Sequence, residues 1–285
     1  MNDIVSRLLE GFSPDSEGIY GGVVGTANQQ QEEIELREEV ASRQVGSRLD
    51  AISGSHSIPV MDREVDRFLK KMPHGALILD IGGCWGWHWR RLASIRPDVL
   101  VIIVDFVRPN LTHACQLLGD LIGRQVWLMH ADATALPFWI SEEFEGFDGV
   151  WTVQTFQHIP DFRQAVSEAY RVLKSGGTFV NYSLNHQPPI AWLYRMLGKN
   201  YVMKGQIEGA FWLARASDEQ KDCIKSIFKA HLAERWTEFL FSPEFRFLHP
   251  GRERSLLGCL DASLSNNHGR LCWFARQHSY ECRKH

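Results

Sequence analysis

The stretch Leu77-Ile-Leu-Asp-Ile-Gly-Gly-Cys-Trp-Gly86 constrains this chain more than any other. An apolar run that takes up an acid and then breaks into glycines just before a helix reads as a buried strand whose carboxyl end carries a turn. The glycines let the backbone approach a ligand closely, and the helix start behind them offers unpaired N–H groups and positive dipole. At the carboxyl edge of an open sheet that combination makes a nucleotide-type pocket.

The surrounding pattern fits such a sheet. Strands are expected at residues 76–81, 99–104, 126–129, 147–153 and 178–184, with helices between them at 86–95, 110–118 and 162–173. The third helix places Ala165, Ala169, Val172 and Leu173 on one face and is stopped by Gly176-Gly177. Alternation of this kind signifies an α/β, doubly wound, Rossmann-like sheet. Ahead of it, residues 1–72 read as an N-terminal helical lead-in or lid, with helices expected at 28–40 and 62–71 and Pro59 before the second. Beyond the fifth strand, 187–235 breaks the alternation and reads as an inserted helical cap within a domain spanning 73–285; its last part, 218–233, is amphipathic. A short helix at 253–260 and a last strand at 270–276 close the chain.

Composition narrows the function classes. Lysine plus arginine number 31 and aspartate plus glutamate 34, so the formal charge is −3 and no broad polyanion-binding face is implied. No apolar stretch approaches the roughly 20 residues of a membrane-spanning helix, and the N-terminus lacks a basic start followed by an apolar run. A soluble, cytoplasmic protein is expected. The six cysteines are scattered and read as reduced thiols. Cys259, His268, Cys272, His278 and Cys282 in the tail lack the short spacing of a structural zinc site, so no metal is expected.

Three acids stand at three consecutive strand ends: Asp80, Asp105 in Val101-Ile-Ile-Val-Asp-Phe106, and Asp132 in His130-Ala-Asp-Ala-Thr-Ala-Leu-Pro-Phe138. A lone aspartate after a strand is usually a turn or helix cap, but the ordered set converges on one crevice. Asp105 sits where an acid accepts hydrogen bonds from ribose hydroxyls. The dinucleotide fingerprint fails, because counting from Gly82 puts Cys84 at the third place and Trp87 at the sixth.

From about Ala76 to Asn185 the chain resembles a class I S-adenosylmethionine-dependent methyltransferase of the small-molecule, ubiquinone-biosynthesis-like kind. The motifs carrying the resemblance are the Gly82 turn, Asp105, Asp132-Ala-Thr-Ala-Leu-Pro-Phe138, the run from Phe147 through Trp151, Gln154 and His158 to Asp161, and Arg171-Val-Leu-Lys-Ser-Gly-Gly177. The family implies a seven-stranded sheet and S-adenosylmethionine as cofactor. Carried over residue by residue, Asp80 serves the methionine amino end through its neighbours, Gly82, Gly83 and Gly86 line the cofactor, and Trp85 faces the sulfonium side. Asp105 holds the ribose, Phe106 flanks the adenine, Asp132 with Ala133 binds its edge, and Val153 and Gln154 form a wall. The departure is Cys84, where a smaller residue is commoner. The family's sixth strand is not assigned to a segment.

Methyl transfer is an in-line displacement, so the protein mainly aligns and desolvates the reactants. If the acceptor is a hydroxyl, His158 is the candidate general base; a capping or packing role is the alternative. Trp85, Trp87 and Trp89 read first as packing against the N-terminal helices, and His56 or Tyr20 could close over the cofactor. The acceptor is expected to be a small molecule, a sugar, polyketide or quinone-like compound, with no nucleic-acid partner and a monomer or homodimer as the assembly. Modification of RNA or protein, and a non-catalytic binding subunit, stand as alternatives. The Asn/Asp-Pro-Pro-Tyr/Phe signature that the first would show is replaced by Thr152-Val-Gln-Thr, and all three acids that the second would lose are present.

Overall fold

Strands whose every residue is apolar or buried need cover on both faces, and that requirement arranges the chain. The computed structural model describes residues 3–22, 48–185, 217–241 and 249–285, with 35, 38–39, 192–193 and 195–198. In order come α1 (Asp3–Leu8), β1 (Ile19–Gly21), α2 (Arg48–Ser53), α3 (Ile58–Leu69), β2 (Leu77–Ile81), a 3₁₀ turn at Trp87–Trp89, α4 (Leu92–Ile95), β3 (Leu100–Asp105), α5 (Arg108–Leu118) and β4 (Val126–His130). They are followed by β5 (Phe147–Val153), α6 (Phe162–Val172), β6 (Leu173–Leu184), α7 (Ser217–Phe228), β7 (Ala233–Thr237), α8 (Leu256–Leu264) and β8 (Gln277–Arg283).

The sheet runs β1-β4-β3-β2-β5-β6-β8-β7. β8 is antiparallel to both its neighbours, and the other pairings are parallel. Period-two alternation splits each central strand between two cores. Leu77, Leu79 and Ile81 face a cluster with Val5, Ala165 and Ile224, so α1, α6 and α7 cover that side. Ile78, Val101 and Ile103 face the other, closed by Phe68 of α3, Trp87, Trp89 and Leu111 of α5. Helices on both faces of a mostly parallel sheet are the doubly wound architecture expected, with an eighth, three-residue strand added at the β4 edge.

Several boundaries differ from expectation. α3 starts at Ile58 with Pro59 inside its first turn, where a missing N–H costs nothing. The helix expected at 86–95 is replaced by the 3₁₀ turn, which follows Gly86 in the left-handed region at φ 65°, and by α4, which starts only after Arg91 leaves helical geometry at φ −99°, ψ 4°. α6 ends at Val172, ahead of Gly176. The last strand expected at 270–276 is corrected: those residues form turns, with Phe274 N donating to Leu271 O at 2.9 Å, and β8 begins at Gln277. β8 escapes a reading by apolarity because it buries polar side chains between two strands. Its His278 meets Glu234 at 2.8 Å and its Tyr280 hydroxyl donates to Ser217 O at 2.7 Å. The sixth strand of the family's sheet is β7, an edge strand with polar sequence.

The helix expected at 28–40 lies almost wholly outside the described residues, as does most of 187–216. Within the range read as a cap, α7 packs on α6 and the sheet, and β7 is part of the sheet. Within 1–72, β1 joins the sheet and α3 belongs to its core.

A buried ion cluster fastens the β7–β8 ribbon to α3. Glu64, with no solvent exposure, accepts hydrogen bonds from Arg67 Nε at 3.0 Å, Arg235 Nε at 2.8 Å and the Tyr182 hydroxyl at 2.8 Å. Removing one cation from a buried carboxylate is costly because the remaining charge has lost its compensation. Arg235→Met is therefore expected to lower unfolding free energy by about 3 kcal/mol, somewhat relieved by Arg67, as read from urea denaturation.

Candidate active site

The carboxyl ends of β2, β3, β4 and β5 open into one cleft of about 240 Å³. Parallel strands all present this end to the same side, and the order reversal between β2 and β5 leaves a gap that a loop must cross. Gly82, Asp105, Phe106, Asp132, Ala133, Val153, Gln154 and His158 all line it, so eight of the residues singled out from the sequence meet in one place.

Asp105 organises the floor. Its Oδ2 accepts the Cys84 N–H at 2.8 Å, and its Oδ1 accepts the Val107 N–H at 2.8 Å and the Asn110 amide at 3.4 Å. The first bond holds Cys84 at φ 51°, a left-handed conformation that a non-glycine residue adopts only when its surroundings enforce it. Gly82, at φ 68°, has no room for a side chain, because a Cβ would run into Thr155. The Thr155 hydroxyl in turn donates to Ile81 O at 3.2 Å, which ties the end of β5 to the glycine turn.

Asp132 Oδ1 accepts both the backbone N–H and the hydroxyl of Thr134 at 2.8 Å, so this acid is a turn former as well as a cleft residue. Gln154 is also left-handed, at φ 54°, with its N–H given to Tyr182 O at 2.7 Å. Its Nε2 is buried without a hydrogen-bond partner among the described residues. A buried amide donor left unpaired costs free energy unless a ligand takes it up.

Four expected residues stand behind the cleft. Asp80 is buried and accepts the Trp89 indole N–H at 2.7 Å. Gly83 lies against the Asp80 carboxylate, with no space for a Cβ between them. Gly86 faces the core, where a Cβ would come within 2.8 Å of Leu118 and 2.9 Å of Ile103. Trp85 turns away from the cleft: its Nε1 donates to Asn110 at 3.2 Å and its ring packs on His113 at 4.9 Å between centroids.

The fold also delivers residues from outside the sequence motifs. His56, from the segment before α3, lines the cleft, with its Nδ1 buried and unpartnered among the described residues. Burial, aided by the charge of Arg276, holds its imidazole down at about 3, so it is neutral at physiological pH. His56 is one of the two residues expected from the sequence to close over the cofactor; no motif in Ser55-His-Ser-Ile-Pro59 carried that expectation, and the docking of α3 is what brings the ring to the cleft. Cys84, Asn110, Thr155, Ile159 and Pro160 complete the walls. His158 ends the short turn after β5, where its Nε2 lies 3.2 Å from Gln157 Nε2. Among the described residues, no group of three His, Cys, Asp or Glu side chains is placed to hold a metal ion.

Burial pushes the Asp80 carboxyl up to about 7; the Trp89 hydrogen bond works against this and the nearby Asp105 charge adds to it. A carboxyl raised above its unfolded value of 3.8 contributes stability that is full below that value and lost as pH rises through about 7. Asp261, raised to about 6 chiefly by burial, acts with the same sign. Asp80→Asn, which keeps an acceptor for Trp89, is expected to flatten the fall of the thermal midpoint between about pH 4 and 7, leaving the part due to Asp261.

Comparison with known proteins follows the geometry. Residues 79–181 match the family model described as a methyltransferase domain. A demethylmenaquinone methyltransferase of Thermus thermophilus is 32% identical over 168 residues, covering 57% of this chain and 72% of the relative. One from Roseiflexus castenholzii is 35% identical over 100 residues, covering 35% of this chain and 39% of the relative. Among solved structures, an S-adenosylmethionine-dependent methyltransferase of Thermotoga maritima superposes with a TM-score of 0.52 at 18% identity, over 90% of this chain and 97% of its own, a likeness of fold.

Proposed function

The chain belongs to the class I S-adenosylmethionine-dependent methyltransferases, and from that premise we propose that it methylates a small, partly apolar hydroxylated acceptor of the quinone-like, polyketide or sugar class. The observation that carries the reading is the meeting of the Gly82 turn, Asp105 and Asp132 in one cleft whose outer wall is Ile159, Pro160 and two histidines. The demethylmenaquinone methyltransferases among its relatives favour the quinone-like class.

The residues present fit the cofactor. Asp105 and Asn110 would hold the ribose, Asp132, Ala133 and Phe106 the adenine, and the Gly82 turn the methionine end. The unpaired Gln154 amide is a donor in want of an acceptor. When bound, the cofactor supplies an electrophilic methyl group. Everything else falls to the chain. Ile159, Pro160 and Val153 exclude water from the transfer path, which strengthens each remaining electrostatic contact. His158 accepts the acceptor's hydroxyl proton as its oxygen forms the new carbon bond, and later releases that proton to solvent. His56, held neutral, offers hydrogen bonds to an acceptor oxygen without adding charge.

Calorimetric titration with S-adenosylhomocysteine tests the cofactor half. Asp105→Ala is expected to weaken binding about tenfold to a hundredfold, since it loses a charge-assisted contact and releases the Cys84 loop. Transfer of labelled methyl to a reduced quinone, set beside a sugar and a phenolic polyketide, tests the other half. His158→Gln is expected to lower kcat about a hundredfold while S-adenosylhomocysteine affinity stays unchanged. A wild-type protein that binds neither S-adenosylhomocysteine nor S-adenosylmethionine would sink the enzymatic reading.

A further inference from the structure

α8 carries its apolar residues on the wrong side for a core helix. Leu256, Leu260 and Leu264, spaced i, i+4 and i+8, share one face and are exposed, Leu256 to 88% and Leu260 to 54%. The inward face is Gly258, Asp261 and Ala262. Asp261 is fully used there, accepting the N–H groups of Phe239 at 2.7 Å and Phe241 at 3.0 Å. The turns after the helix add Leu271, Trp273 and Phe274, all exposed, Trp273 to 67%. A single exposed leucine needs no explanation, but three on one helical face, with further exposed apolar side chains in the turns that follow, mark surface that meets something apolar.

Charge decides what that is. Exposed Arg252, Arg254 and Arg270 bracket the stripe. The exposed acid within it, Glu253, is bound by Arg90 at 2.7 Å, and Asp50 lies 3.8 Å from Arg252. Asp50 offsets Arg252, so the excess positive charge of the rim comes from Arg254 and Arg270, on a chain whose net charge is −3. Two copies meeting through this face by a two-fold axis would bring like-charged arginine rims together, which disfavours a self-interface. Leucine, tryptophan and phenylalanine on one side with arginines at the margin are the composition of a helix lying in a lipid interface. No helix among the described residues is long and apolar enough to cross a membrane, so such contact would be lateral.

We propose that α8 and the 271–274 turns seat this protein on the surface of an anionic phospholipid bilayer. The leucines and aromatic rings enter the headgroup boundary, and the arginines pair with lipid phosphates. The opposite, inward face of α8 packs on α3: Gly251, just before α8, accepts the Ile58 N–H at 3.0 Å, and Gly258 packs on Pro59. Ile58 and Pro59 lie two and three residues after His56 in sequence. The inference does not depend on which acceptor is methylated.

Co-sedimentation of the full chain with vesicles of phosphatidylcholine, alone or mixed with phosphatidylglycerol, tests it. Binding is expected to require phosphatidylglycerol and to fall with added salt. Leu256→Glu with Leu260→Glu, both at exposed positions, is expected to lower the vesicle-bound fraction about tenfold or more. S-adenosylhomocysteine affinity and the thermal midpoint of that variant should match wild type. Arg254→Gln with Arg270→Gln should weaken the dependence on phosphatidylglycerol. The proposal is overturned if wild type binds neither vesicle, or if the double leucine variant binds as wild type does. A wild-type dimer that the leucine variant dissolves, without vesicle binding, would assign the face to a second copy. Loss of methyl transfer to every acceptor with vesicle binding intact would instead count against the acceptor reading alone.

Discussion

The cleft depends on one carboxylate that does two jobs. Asp105 ends β3, and its oxygens gather the Cys84 N–H from the loop after β2 and the Val107 N–H that leads into α5. Without an acceptor there, Cys84 has no reason to remain left-handed, and the glycine turn loses its curvature over the sheet edge. The same carboxylate faces the space where a ribose would lie. Building the loop and addressing the ligand with one group makes the site rigid before the ligand arrives, which reduces the ordering cost of binding.

At the antiparallel end of the sheet two buried carboxylates are paired: Glu64 with Arg67, Arg235 and Tyr182, and Glu238 with Arg276 at 2.7 Å and the Ser57 N–H at 2.8 Å. These pairs fasten β7 and β8 to α3 and so hold the segment carrying His56. Around the cleft, polar atoms are left open at Gln154 Nε2 and His56 Nδ1. Among the described residues, unpartnered buried atoms also occur in the core, at His88 and Trp151 and elsewhere, but Gln154 and His56 line the cleft, where a ligand can complete them.

The sequence revealed the parts of the fold that local chemistry dictates. β2 to β5 are apolar on both faces, the turn at Gly82 must be glycine, and the acids at 105 and 132 stand at strand ends, so the sheet centre and the cofactor side of the cleft were legible. β8 was not, because Gln277, His278 and Ser279 are polar and become core only through partners on other elements. β7 reads as polar because it is an edge strand, and β1, three residues long, is too short to show a period. Trp85 and Gly86 followed the family expectation toward the cofactor in sequence, yet Asn110 and His113 draw the indole aside and Leu118 and Ile103 occupy the space at the glycine.

That division separates the two halves of the function. The residues of the first wall fall in one contiguous stretch, each placed by the strand it ends, so they read as a series of motifs. The facing wall is assembled from afar: His56 arrives with α3, α3 is positioned by α8 and by the Glu238–Arg276 pair, and α8 belongs to the last thirty or so residues of the chain. None of those segments carries a motif, because their requirement is complementarity to one another and to the acceptor. The packing that shapes the second wall accordingly runs through α3 and α8, where the sequence is least explicit.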